Sequence, residues 1–131
     1  MKKIYYNTDT YNFKNLVKSF LDVSSLSNIH IEKNFNYNQK FERKNDQSTH
    51  YHKSFYKLAR SEDFILVYKE FILNVVKPQF GEEVVYQKIP TFRLHFPGNI
   101  AVGEFHRDRN YRDEKWANEV KEMNFFLPLT R

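Results

Sequence analysis

Hydrophobic residues recur at helical spacing near the start of the chain, in residues 10–25. Spacings of three and four residues place these side chains on one face, so the stretch predicts an amphipathic helix. Asp9 or Thr10 can supply its N-cap, and the serine-rich run at 24–28 ends the pattern. The apolar positions are Phe13, Leu16, Val17, Phe20 and Leu21.

The same spacing predicts a longer helix over residues 61–77. Ser61 can cap it, and Glu62 and Asp63 stand in its first turn, where carboxylates interact favourably with the helix dipole. Pro78 and Gly81 stop the pattern. We expect its apolar stripe to pack against a sheet; the stripe consists of Phe64, Val67, Tyr68, Phe71, Ile72 and Val75.

The rest of the chain divides at Gly81. Before it, residues 28–41 alternate weakly, which is typical of a strand followed by a loop, and a further helix begins near Thr49. After it, β-branched and aromatic residues predict strands at 82–87, 91–96, 100–106 and 122–129. We therefore expect one α+β domain over 1–131, with 1–80 a mainly helical flank and 81–131 the core strands.

Composition places this chain among soluble globular proteins. Of its 131 residues, 40% are hydrophobic and 18% aromatic, which excludes a disordered chain. It contains no cysteine, so thiolate metal sites and disulfides are excluded. Its first ten residues lack the apolar core of a signal peptide, and its apolar runs are too short to span a membrane. We expect a cytoplasmic protein.

The formal net charge of +5 raises the question of nucleic-acid binding. A phosphate-binding surface needs lysines and arginines clustered on one face. Here they are scattered and accompanied by acids, as in ERKND at 42–46 and RDEKW at 112–116. This pattern favours a solvated surface of mixed sign, and a nucleic-acid-associated protein is kept as an alternative.

Two candidate metal ligands lie in the run VGEFHRDRNY, residues 102–111. On a strand, His106 and Asp108 share one face and stand about 6–7 Å apart, close enough to converge on one ion. An imidazole and a carboxylate suit Fe(II), Mn(II) or Zn(II), and a second histidine would complete the facial triad of non-haem iron oxygenases. On its spacing alone, the pair is more typical of a solvated or hydrogen-bonded strand end, because His-x-Asp is a short motif.

The surrounding sequence resembles the phytanoyl-CoA dioxygenase-like branch of the Fe(II)/2-oxoglutarate oxygenases, and within it the StrG-type proteins of streptomycin-biosynthesis clusters. The resemblance covers residues 86–130, with weaker agreement through 61–79. In order, it includes PTFR at 90–93, Pro-Gly-Asn at 97–99, AVGEFH-x-D at 101–108, Tyr111, and a Glu-x-Asn-Phe strand that ends in LPLT. It implies a double-stranded β-helix of the jelly-roll or cupin type, flanked by the N-terminal helices.

The resemblance also implies a reaction and a site. Fe(II) and 2-oxoglutarate are the implied cofactors, and O2 the co-substrate, in hydroxylation of a small organic molecule of sugar or natural-product biosynthesis. His106 and Asp108 are the implied metal ligands. Asn124 would face the 2-oxoglutarate pocket, although a buried asparagine bonded to backbone explains it equally well.

Three further residues are candidates for contact with substrate or for support of the ligands. Glu104 shares the strand face of His106. Tyr111 could close over the site, and Trp116 could cover it. Ordinary packing accounts for both aromatic side chains as well.

The chain departs from the family pattern in two places. Residues 112–121 replace a shorter loop, and the chain stops at Arg131, before the distal histidine and the arginine that binds 2-oxoglutarate. We therefore expect a truncated oxygenase with an incomplete barrel, inactive alone or completed by a partner chain. A non-catalytic β-barrel binding module that keeps the metal dyad is the alternative.

Of the other histidines, His50 and His52 are predicted to be solvated or capping, and His30 structural or exposed. His95 is the histidine nearest the motif in sequence.

Overall fold

The computed structural model describes residues 2–33, 49–81, 83–95 and 123–130. Four α-helices lie in these ranges: α1, Phe13–Phe20; α2, Ile29–Glu32; α3, His50–Leu58; and α4, Glu62–Phe71. A 3-10 turn, Leu26–Asn28, precedes α2. A π-helical turn, Ile72–Val76, and a 3-10 turn, Lys77–Gln79, continue α4 without a break.

The three longer helices share one core, in which α1 contacts both α3 and α4. Aromatic rings dominate it: Phe13 packs edge-on against Phe71 at a centroid distance of 5.3 Å, and Phe55 packs edge-on against Phe64 at 5.7 Å. Such edge-to-face pairs add to the free energy gained from burial alone. The buried apolar residues are Phe13, Val17, Leu21, Val23, Leu26, Tyr51, Phe55, Leu58, Ala59, Phe64, Phe71, Ile72, Val76 and Phe92.

Helix α4 confirms the expectation of a helix capped by Ser61. The Ser61 hydroxyl accepts a hydrogen bond from the Phe64 N–H, and Glu62 and Asp63 occupy the first turn. Gly81 ends the helical run with φ of +69°, a conformation that glycine adopts without steric cost. Within the described residues, however, the stripe of α4 packs against α1, against Tyr6 and Tyr11 before it and against Tyr86 after it, and not against a sheet.

Helix α1 starts later than the sequence suggested. Asn12, and not Asp9 or Thr10, is its N-cap, and the Asn12 side chain accepts from the Asn15 N–H at 3.3 Å. The N–H groups of Asp9 and Thr10 instead donate to the Asn7 side chain, at 2.9 and 3.0 Å. This turn precedes the helix and keeps both residues outside it.

The prediction of a strand that begins at residue 28 is wrong for residues 28–33, the part of it that the structure describes. Ile29–Glu32 is a short helix. The Glu32 carboxylate accepts from the Ser24 N–H at 2.7 Å, from the Ser24 hydroxyl at 2.8 Å and from the Ser25 N–H at 3.0 Å. These bonds join the end of α2 to the corner after α1. A one-turn helix is too short for hydrophobic periodicity to reveal it.

The predicted α+β fold, with an incomplete double-stranded β-helix, is also wrong. In the described ranges after Gly81, namely 83–95 and 123–130, no residue forms a strand. These segments have a composition typical of strands, but a strand also needs a neighbour that pairs with its backbone. Some of their side chains, such as those of Phe92, Leu94 and Leu127, pack on the helical core instead. Residues 96–122, with the strand predicted at 100–106, lie outside the described residues.

Within the described part of the chain, no helix combines the length and the apolar character needed to cross a bilayer.

Candidate functional site

The predicted metal ligands His106 and Asp108 lie outside the described residues, as do the candidate contacts Glu104, Tyr111 and Trp116. Their roles therefore stay predictions. The structure does describe the two segments that flank them, residues 83–95 and 123–130, and it shows what holds each segment to the helices.

Several contacts hold the segment before the predicted ligands to the helices. The Tyr68 hydroxyl on α4 donates to the Gln87 carbonyl at 2.9 Å, and the Tyr86 ring meets the Tyr68 ring edge-on at 5.9 Å. Further along, Phe92 stacks almost parallel on Phe55 of α3, with ring centroids 4.4 Å apart. Because Phe92 is only 9% exposed, it is the point at which this segment enters the core.

His52 lies beside this contact and is 1% exposed. Its ring packs edge-on against Phe92 at 5.6 Å, and a hydrogen bond of 2.8 Å joins its Nδ1 to the Thr49 hydroxyl, which is also buried. The prediction that His52 is solvated or capping is wrong. Thr49 precedes α3 at the N-cap, yet its hydroxyl bonds the ring and not a backbone N–H.

The Thr49–His52 pair has a signal in the sequence. A threonine at the N-cap position and a residue three positions later lie side by side over the first helical turn. His50, by contrast, is exposed, so the two histidines do lie on different faces of α3, as their spacing predicts. His30 on α2 is half-buried, and His95 is exposed at the end of the described segment.

The segment after the predicted ligands also returns to the helical core. Phe125 contacts Phe80 with ring centroids 6.0 Å apart, and Leu127 and Leu129 are half-buried against the core. Asn124 lies in this extended segment with an exposed side chain, not on the strand that was expected. Its proposed contact with a co-substrate stays a prediction.

Burial affects the ionisation of Tyr68 in this region. Its half-buried position raises the pKa of the phenol above the usual value, and the neighbouring Tyr86 raises it further. The hydroxyl therefore keeps its proton over the whole neutral range. Protonated, it can donate to the Gln87 carbonyl.

The described residues do not by themselves form a metal centre. No group of three or more histidine, aspartate or glutamate side chains within them could hold a metal ion. The predicted ligands His106 and Asp108 lie outside those ranges.

Comparison with known proteins gives one informative similarity. The chain is 40% identical over 92 residues to the streptomycin biosynthesis protein StrG of Streptomyces griseus, a match that covers 68% of this chain. The chain spans only 41% of the length of that relative. No protein-family model and no solved structure matches the chain. The similarity to a protein of streptomycin biosynthesis is thus confirmed, whereas the wider resemblance to Fe(II)/2-oxoglutarate oxygenases stays a prediction.

Proposed function

We propose that this chain carries two metal ligands, His106 and Asp108, of a non-haem Fe(II)/2-oxoglutarate-dependent oxygenase that acts in a biosynthetic pathway. The observation that carries the proposal is the ordered set of motifs around them, from PTFR at 90–93 to LPLT at 127–130. The identity of 40% to the streptomycin biosynthesis protein StrG supports a small organic molecule as substrate.

The donor types in this stretch suit the proposed metal. Histidine nitrogen and aspartate oxygen, with no cysteine anywhere in the chain, are the donors of iron sites that activate oxygen. When bound, Fe(II) and 2-oxoglutarate supply the oxidising chemistry that hydroxylates a C–H bond with O2. The protein's part is to supply the ligands, orient the substrate and limit access of water.

Other residues take supporting roles in this proposal. Asn124, an exposed residue, is the candidate amide contact to 2-oxoglutarate. Glu104, Tyr111 and Trp116 are candidate contacts to substrate. A facial triad needs a third protein ligand, and the exposed His95 is the histidine nearest to His106 in sequence.

The first test measures metal binding under anaerobic conditions. We expect Fe(II) added with 2-oxoglutarate to give the visible charge-transfer band of a chelated complex. His106→Ala and Asp108→Ala should each abolish the band, because each variant removes one of the few protein ligands proposed to hold the ion. His50→Ala is the matched control, because His50 is an exposed histidine outside the motif and should leave the band unchanged.

Two results would contradict the proposal. A wild-type chain that shows no band, or a band that survives both ligand variants, would separate His106 and Asp108 from iron. Strong binding to DNA or RNA that weakens steeply with salt, without any affinity for iron, would instead favour the alternative of a nucleic-acid-associated protein.

A further inference from the structure

We draw no further inference here: the strongest candidate, the open cleft at the end of α4 lined by Leu73, Lys77, Pro78, Gly81 and Glu83, carries nothing, because nothing in the described part of the chain shows what covers it.

Discussion

Two phenylalanines in the extended segments have opposite surroundings. Phe92 is 9% exposed and stacks on Phe55, whereas Phe126 is 81% exposed. Truncating a buried phenylalanine removes its transfer free energy and leaves a cavity, while truncating an exposed one does neither.

We therefore expect Phe92→Ala to lower the free energy of unfolding by about 3 kcal/mol. The matched variant Phe126→Ala should change it by less than about 0.5 kcal/mol. Urea unfolding followed by circular dichroism measures both. Equal losses in the two variants would show that Phe92 does not belong to the core.

Glu32 makes the stability of the fold depend on pH. Hydrogen bonds from the Ser24 N–H and hydroxyl, and from the Ser25 N–H, lower the pKa of its carboxyl group. A carboxyl whose pKa is lower in the folded state stabilises the fold above the pKa of the unfolded chain. That contribution is lost as the pH falls through the lowered folded-state pKa.

We expect Glu32→Gln to be less stable than the wild type at neutral pH, and the difference to vanish in acid. Thermal unfolding from pH 7 to pH 2 measures the two curves. Glu83→Gln, at another exposed position, is the control for the general effect of replacing a carboxylate by an amide. A constant difference for Glu32→Gln at all pH values would contradict this role.

At the scale of the element, the start of α4 depends on one hydroxyl. The Ser61 Oγ accepts from the Phe64 N–H at 3.4 Å and donates to the Leu58 carbonyl at 2.7 Å. It therefore satisfies one free donor at the start of α4, and it adds a second bond to the Leu58 carbonyl, which also accepts from the Ser61 N–H at 2.8 Å.

Ser61→Ala should cost about 1 kcal/mol of unfolding free energy, and Ser61→Asp should restore the part due to the cap, because aspartate accepts from a backbone N–H as well as serine does but cannot donate to the Leu58 carbonyl. Ser19→Ala, at an exposed position in the last turn of α1, is the control and should have little effect. Chemical denaturation measures all three. A loss in Ser61→Asp as large as in Ser61→Ala would argue against capping.

The elements differ in how well the sequence predicts them. Helices α1 and α4 are predictable because their apolar residues repeat over two or more turns. The run after Gly81 misled the prediction, because residues such as Val84 and Tyr86 favour strands only where a paired neighbour exists. The burial of His52 was also missed, since a histidine at the start of a helix gives no sign of which face will be covered.

At the scale of the whole molecule, the described contacts show how the segments on either side of the predicted metal ligands are held to the helices. The segments before and after residues 96–122 both contact the helical core, through Phe92 on one side and through Phe125 and Leu127 on the other. The residue types and order of the motif could be read from the sequence. The structural environment of the motif could not be predicted from the sequence, because strand register and burial depend on long-range packing.

The π-helical turn Ile72–Val76 has a consequence for how the chain tolerates changes of length. Its hydrogen bonds span five residues, so the turn holds one residue more than an α-helix needs. Ile72 and Val76 are buried and Asn74 is exposed. Without Asn74, Val76 would follow Ile72 by three positions and stay on the same face of a regular α-helix.

Deletion of Asn74 should therefore cost far less stability than deletion of the exposed Lys69, which would rotate Phe71 and all later residues away from the core. Thermal unfolding of the two deletion variants measures the difference. Equal damage would mean that the chain after Val76 depends on the wider turn. The expected result marks residues 72–76 as the place where related chains can gain or lose one residue and still fold.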